Sequence, residues 1–224
     1  MDPLSSVILF FEVLRTMRDL TESVTGKGWF RDRPVKRLKK WIGRQEGDLH
    51  IDIYSYTGET MYEPVFLALQ LALQEERLKS KTVRIRILLR DCDYPFVLRN
   101  RERNPDYKLY DERVRKKADA AIEQWKGMPG KLDGNIIVTT KTYRFEPSFK
   151  AVMINGCRGY FGFYKIDPEH VKNVGGRKIV APDYVAADTS LVPLDNPKDK
   201  TRRMLLDSFK SWFDRTWDDF SDSF

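Results

Sequence analysis

Hydrophobic residues recur with a helical period at the start of the chain. Between Leu4 and Leu20 apolar side chains return every three or four positions, which predicts an amphipathic helix that ends before Gly26 and Gly28. The segment 31–44 then places seven basic residues around Val35, Leu38, Trp41 and Ile42. This spacing predicts a second, short helix with a cationic face. We therefore predict an N-terminal helical arm over residues 1–44.

A different pattern begins at Asp48. The run HIDIYSY alternates apolar and polar residues as a strand does, TGE is a turn, and Met61 to Lys79 has a helical period. A second strand is predicted from Thr82 to Asp93, where Val83, Ile85 and Ile87 alternate with arginines. A strand, a helix and a strand in this order favour parallel pairing of the two strands.

The middle of the chain continues with one helix and three strands. Tyr107 to Gly127 has a helical period and is followed by Pro129 and Gly130, which end the helix. The strands are predicted at 135–142, 151–154 and 160–166. The fold class that follows is α/β, with a mixed sheet between helices in a domain spanning residues 45–224.

The last third of the chain is less regular. Residues 167–200 show no clean period, and we predict irregular structure with one short strand near Lys178 to Val180. A C-terminal helix follows, because apolar residues again fall at helical spacing: Met204, Leu205, Phe209, Trp212, Phe213 and Trp217.

Composition narrows the functional classes only slightly. The 224 residues include 40 basic and 33 acidic side chains, a net charge of +7 that favours anionic partners without forming a polybasic tract. Cys92 and Cys157 fit neither a zinc site nor a disulfide framework, so we expect buried thiols in a reducing compartment. The opening residues lack a basic leader and a membrane-spanning run, and a cytoplasmic protein without a cofactor is expected.

One segment carries the chemistry. In PSFKAVMINGCRGYFGFY the residues Ser148, Lys150, Asn155 and Gly162 follow the spacing Ser-x-Lys-x4-Asn-x6-Gly. This resembles the signature His-x-Lys-x4-Asp-x6-Gly of the phospholipase D superfamily, and the likeness extends over residues 48–166. The chain is most similar to single-copy phospholipase D-like domains of bacterial regulatory and sensor proteins. The resemblance implies an α/β sandwich with its site at the ends of the central strands. It also implies a homodimer, because active members join two copies around one pocket.

The chain departs from that signature at the reactive positions. Ser148 stands where the family has its nucleophilic histidine, and a serine hydroxyl needs a neighbouring base to attack. Asn155 replaces the aspartate and cannot take up a proton, while Phe163 and Tyr164 replace a small hydroxyl residue and an asparagine. Of the reactive groups only Lys150 keeps its role, the neutralisation of phosphoryl oxygens, so we predict a degenerate site with no catalytic residue.

The two histidines do not supply the missing nucleophile. His50 precedes the first strand of the domain, whereas ligands in open α/β sheets gather beyond the carboxyl ends of strands. His170 follows IDPE and is predicted to lie in a loop. A surface or structural role is the better interpretation for both.

The anion-binding candidates form two groups. Lys150, Asn155 and Ser148 are predicted to hold one phosphate group. The turn Ser55, Thr57 and Gly58 offers hydroxyls and backbone N–H groups at a helix N-terminus, although Thr57 taken alone is more simply a helix cap.

Nucleic acid and metal ions are the other ligands to weigh. Arginines that can contact nucleic acid follow or lie in the second strand: Arg84, Arg86, Arg99, Arg101 and Arg103. Asp91 and Asp93 are explained as turn formers ahead of Pro95, and no metal site is predicted.

Three hypotheses remain open from the sequence. The first is a degenerate regulatory or sensor module that binds a phosphate-bearing ligand, nucleic acid or a partner protein. The second is a nuclease or phosphodiesterase with a non-standard active site. The third is an assembly protein that associates through its N-terminal helical arm and its Trp- and Phe-rich C-terminal helix. The cationic face of segment 31–44 could contact nucleic acid, a membrane surface or an acidic protein, but an ordinary solvated helix surface is the better interpretation.

Overall fold

A computed structural model describes residues 34–45, 47–93, 107–174, 176–185, 191–194, 199–219 and 221–223. The helices are α1 (Pro34–Ile42), α2 (Glu59–Gln74), α3 (Tyr107–Lys126) and α4 (Lys200–Asp219). The strands are β1 (Leu49–Ser55), β2 (Thr82–Arg90), β3 (Asn135–Tyr143), β4 (Phe149–Ile154), β5 (Arg158–Phe163), β6 (Lys165–Val174), β7 (Arg177–Val185), β8 (Val192–Leu194) and β9 (Ser221–Ser223).

Seven of these strands form one mixed sheet in the order β8-β5-β4-β1-β2-β3-β9. Strands β1, β2 and β3 are parallel, with Leu49 opposite Val83 and Thr82 opposite Asn135. Strand β4 runs antiparallel to β1 and β5 antiparallel to β4, so β4 begins where β1 ends. We call this side of the sheet the carboxyl edge. The predicted α/β class, the mixed sheet between helices and the parallel pairing of the first two strands are confirmed.

Alternation along the strands gives the sheet two apolar faces. On one, which we call the α2 face, Leu49, Ile51 and Ile53 of β1 pack in a buried cluster with α1, α2 and α3. Leu38 and Trp41 of α1 are 1% and 3% exposed in this cluster, so the second predicted helix lies in the core of the domain. The predicted helix over 4–20 lies outside the described residues.

Helix α4 covers the opposite face, which we call the α4 face. Phe209 and Phe213 of α4 are buried against Tyr54, Phe149 and other strand residues in a second apolar cluster. Tyr54 stacks on Tyr143 with ring centroids 4.7 Å apart. The predicted apolar side of the C-terminal helix is therefore confirmed apart from Met204, which is 51% exposed.

The prediction of irregular structure after residue 167 is wrong for β6, which pairs with β7 in a separate two-stranded hairpin. His170 therefore lies in a strand and not in the predicted loop, while the short strand predicted near Lys178 to Val180 is confirmed as part of β7. Gly176 makes the turn with φ of 80°, and the register shifts between Asp167 and His170. Pro168 lies in β6 and Pro182 in β7. Each strand of a two-stranded ribbon is an edge, and edges tolerate proline.

Two smaller expectations concern thiols and membranes. Cys157 is exposed and Cys92 is half-buried, so the prediction of two buried thiols is wrong for Cys157. None of the described helices is long and apolar enough to cross a membrane.

Candidate functional site

Lys150 lies at the start of β4 and therefore at the carboxyl edge. It alternates with Val152 and Ile154, which belong to the buried cluster of the α2 face, so its side chain points to that face. Only 4% of Lys150 is exposed. Burial lowers the pKa of its ammonium group to about 8, because a charged amine loses hydration in a dry environment.

Two hydroxyl groups meet on the α2 face beside β4: that of Ser55, in β1, and that of Tyr164, which follows β5. The Tyr164 hydroxyl accepts a hydrogen bond of 2.8 Å from the backbone N–H of Tyr56 and lies 3.3 Å from the Ser55 hydroxyl. Because β4 separates β5 from β1, the Tyr164 side chain spans β4 on the face to which Lys150 points. Ser148 is exposed at this edge, and its carbonyl accepts a hydrogen bond from the backbone N–H of Tyr164.

The turn after β1 has the geometry of a helix start. Gly58 caps α2 with φ of 78°, and its N–H donates to the Ser55 hydroxyl at 3.2 Å. No side chain caps this helix, so the interpretation of Thr57 as its cap is wrong. A Cβ at position 58 would come within 2.9 Å of Leu89 and 3.2 Å of Trp125, so both backbone and space require glycine here.

Asn155 is not brought together with Lys150. It follows β4 at the opposite edge of the sheet, about 16 Å along the strand. There its amide oxygen accepts the His50 N–H at 2.6 Å, and its amide nitrogen donates to Gln45 at 2.9 Å and to the Asp48 carbonyl at 3.3 Å. With φ of 47° it turns the chain from β4 into β5, so its visible role is structural.

Replacing Asn155 by the aspartate of the family signature should therefore destabilise the chain. In Asn155→Asp a carboxylate replaces both N–H donors and faces the Gln45 and Asp48 oxygens. We expect a loss of about 1–2 kcal/mol of unfolding free energy and no gain of hydrolysis. Urea denaturation and a phosphodiester reporter measure the two effects. A variant as stable as the wild-type chain would contradict this structural role.

Arg84 and Arg86, the described members of the predicted nucleic-acid contact, point to the α4 face. Arg86 binds Asp52 and Asp214, each at 2.7 Å, and Arg84 binds Asp48 at 2.9 Å. Their charges are matched by carboxylates, which weakens the nucleic-acid interpretation for this pair. Residues 99, 101 and 103 lie outside the described residues.

A groove of about 660 Å³ lies on this α4 face. Its walls include His50, Asp52, Arg86, Asp214 and Trp217. His50 sits at the amino end of β1, as predicted, and so lies away from Lys150. The groove and the Lys150 region are therefore separate places in the fold. Of the four motif residues, only Asn155 lines the groove.

The aspartates after β2 have local partners. Asp91 accepts the Asp93 backbone N–H at 2.8 Å, which is the turn that the sequence predicted. The carboxylates pair with Arg144 and Arg115. Among the described residues no group of three or more His, Cys, Asp or Glu side chains is placed to hold a metal ion.

Sequence reasoning missed two residues of the carboxyl edge. Tyr164 was noted only as a departure from the family pattern, although its alternation with Tyr160 was a signal that it shares the face of Lys150. Arg90, at the end of β2, is 3% exposed, and its guanidinium lies 5.8 Å from the Tyr56 ring centroid. Two buried cations thus lie at the carboxyl edge.

Comparison with known proteins adds one finding. No protein-family model and no curated protein matches the chain. Among solved structures, the chain is similar to a phospholipase D family member, Nuc from Salmonella typhimurium, at 12% sequence identity and a TM-score of 0.40. The match covers 84% of this chain and 89% of that one.

Proposed function

We propose that the chain is a regulatory or sensor module, built on a degenerate phospholipase D-like domain, that binds a phosphate-bearing ligand at Lys150. The observation that carries the proposal is the burial of this lysine at the carboxyl edge of parallel strands, where only 4% of it is exposed. Ligands of open α/β sheets bind beyond this edge. A phosphate group there would replace part of the hydration that Lys150 loses on folding.

The surrounding groups suit recognition better than hydrolysis. Ser148 and the Ser55 and Tyr164 hydroxyls are hydrogen-bonding groups on the side of Lys150. Ser148 occupies the position of the family nucleophile, while His50 lies at the other end of β1. Without a neighbouring base a serine hydroxyl is a poor nucleophile. We therefore propose binding without cleavage.

Lys150→Met provides the test, with inorganic phosphate as the probe. Phosphate bound next to the ammonium group should raise its pKa from about 8, so binding near pH 8.5 should take up protons. Calorimetry in two buffers of different ionisation enthalpy measures that uptake. We expect Lys150→Met to weaken phosphate binding by about tenfold or more and to abolish the uptake.

The control is Lys79→Met, which removes an equal charge from a side chain that is 74% exposed. It should leave phosphate binding unchanged. Phosphate affinity that is equal in Lys150→Met and the wild-type chain would refute the site. Cleavage of a phosphodiester reporter that is lost in Lys150→Met would instead establish the alternative, a phosphodiesterase with a non-standard active site.

The same variant should also change how stability depends on pH. The ammonium pKa is about 8 in the folded chain and about 10.4 when unfolded, so between these values the unfolded state binds more protons. Wild-type stability should therefore rise over that range, whereas the stability of Lys150→Met should lack this rise. Urea denaturation of both chains from pH 7 to 10 measures this difference. A variant that unfolds cooperatively in urea also shows that its weaker phosphate binding is not caused by a failure to fold.

A further inference from the structure

Strand β3 has an open edge in the described part of the chain. One side of β3 pairs with β2 along its whole length, from Asn135 to Tyr143. On its other side the described residues provide only β9, which pairs with Lys141 to Tyr143. Apart from the Ile136 N–H, which donates to the Gly134 carbonyl at 3.0 Å, the stretch 135–140 therefore offers backbone N–H and C=O groups on this side to a further strand.

The side chains of this stretch lack the features that usually protect an edge. The sequence NIIVTT contains no charge and no proline, in a chain of which 33% is charged. Ile137 is 47% exposed, and Asn135 and Thr139 are exposed beside it. Native edge strands normally carry lysine, proline or a bulge that blocks pairing with another chain. Residues 135–140 therefore carry no charge, proline or register shift that would oppose pairing with a further strand.

We propose that the occupant is β3 of a second copy, paired antiparallel about a two-fold axis at Ile137. A two-fold axis perpendicular to the sheet joins the α4 face of one copy to the α4 face of the other, and likewise the two α2 faces. Residues that lie opposite each other in the two β3 strands must therefore belong to the same face. Centred at Ile137, it sets Asn135 opposite Thr139 and Ile136 opposite Val138. The first pair is polar and the second is apolar. The exposed Ile137 lies opposite Ile137 of the second copy.

Charge and space favour the same arrangement. Two copies with a net charge of +7 repel each other, and an uncharged edge is the place where they meet with least repulsion. Strand β9 blocks the edge from Lys141 onward, which limits the partner strand to 135–140. At the other end the chain turns sharply, with the Gly134 N–H bound to the Leu132 carbonyl at 3.0 Å. These two limits restrict the register of the pairing.

This dimer differs from the one that the family resemblance implies. Antiparallel pairing of β3 points the two carboxyl edges in opposite directions, so the two Lys150 regions lie apart. Each would be complete within one copy. The inference is therefore independent of the proposed phosphate site, and a monomeric variant should still bind phosphate if that site exists.

Sedimentation velocity of the full chain over a range of concentrations tests the proposal. We expect the wild-type chain to dimerise and Ile137→Lys to raise the dimer dissociation constant by roughly tenfold or more. Met204→Lys is the matched control, because Met204 is a 51% exposed apolar residue on α4, and it should leave the dimer intact. Circular dichroism confirms that both variants fold.

A cross-link tests the register directly. Residues directly opposite in antiparallel strands have Cα atoms about 4.5–5.5 Å apart, which a disulfide can span. With Cys92 and Cys157 changed to serine, Ile137→Cys should form a disulfide-linked dimer on oxidation, and Met204→Cys should not. A wild-type chain that stays monomeric overturns the proposal. A dimer that persists in Ile137→Lys also overturns the proposal. If that dimer is lost only when residues 1–33 are removed, the N-terminal segment forms the contact instead of β3.

Discussion

Gly159→Ala should destabilise the chain by about 3–4 kcal/mol, the largest effect that we expect from a single methyl group. Gly159 lies in β5 between β4 and β8, opposite Met153 and Leu194. A Cβ at this position would lie 2.3 Å from the carbonyl oxygen of Val152 and 3.2 Å from the Met153 Cα. Both are backbone atoms of a paired strand, so neither can move away without loss of the β4–β5 hydrogen bonds.

Urea denaturation with matched glycine variants measures this effect. Gly47→Ala is the control, because no atom lies within 4 Å of a Cβ built there, and it should change the unfolding free energy by less than about 0.5 kcal/mol. Equal midpoints for the two variants would show that β4 and β5 do not approach as closely as described.

Arg86→Leu should cost about 3 kcal/mol of unfolding free energy, the second-largest loss that we expect. Arg86 joins Asp52 of β1 to Asp214 of α4, and its guanidinium lies 5.0 Å from the Phe213 ring centroid. Asp52 is only 4% exposed. Burial raises its pKa above the ordinary value even though the Arg86 hydrogen bond opposes this, so removal of Arg86 leaves a buried carboxylate without that counter-charge.

The loss of unfolding free energy in Arg86→Leu should become smaller at acid pH, because both carboxyl groups that contact Arg86 become protonated there. Without Arg86 the folded chain pays to keep Asp52 ionised, and this cost vanishes below the unfolded pKa of about 3.9. Burial raises the pKa of Asp214, but hydrogen bonds from Lys210 and Arg86 outweigh it and leave the pKa below its ordinary value. The stability that Arg86 gives through Asp214 is therefore also lost as the pH falls.

Arg84→Leu is the control for this prediction. Arg84 lies on the same strand and face as Arg86, but its ion pair with Asp48 is more exposed. The Arg84 side chain is 44% exposed and the Asp48 side chain 47%. Exposed pairs contribute little, so we expect only a small change with no marked dependence on pH between 4 and 7. Urea midpoints at those two pH values compare the variants. An equal loss for Arg84→Leu and Arg86→Leu would show that Asp52 is not the source of the effect.

The central sheet could be predicted because its signals are local. The alternation of Val83, Ile85 and Ile87 with arginines identifies a strand from neighbouring residues alone, and β2 begins at Thr82 as predicted. The predicted helix 107–127 is likewise confirmed as α3. The hairpin of β6 and β7 was predicted only in part: the short strand near Lys178 to Val180 lies within β7, whereas β6 was missed because residues 165–174 show no clean period.

The candidate site could be predicted only in part. The resemblance implied a site at the ends of the central strands, and Lys150 lies at the start of β4, one residue earlier than the strand predicted at 151–154, on the side where β1 ends. The resemblance did not show that the Tyr164 hydroxyl reaches across β4 to Ser55 and Tyr56. Nor did it separate Asn155 from Lys150, since a motif gives spacing along the chain and not the edge of the sheet on which each residue ends.

The sequence by itself determined helices α1 to α4 and strands β1 to β5 and which sides of them are apolar, because these depend on periods of 2 and 3.6 residues. Only the tertiary structure decided which polar residues meet. Arg86 and Asp214 are 128 positions apart in the chain, yet they form a hydrogen bond of 2.7 Å. Such contacts depend on strand order and on the packing of α4 against the sheet. They arise from burial of the whole apolar surface, which no local pattern encodes.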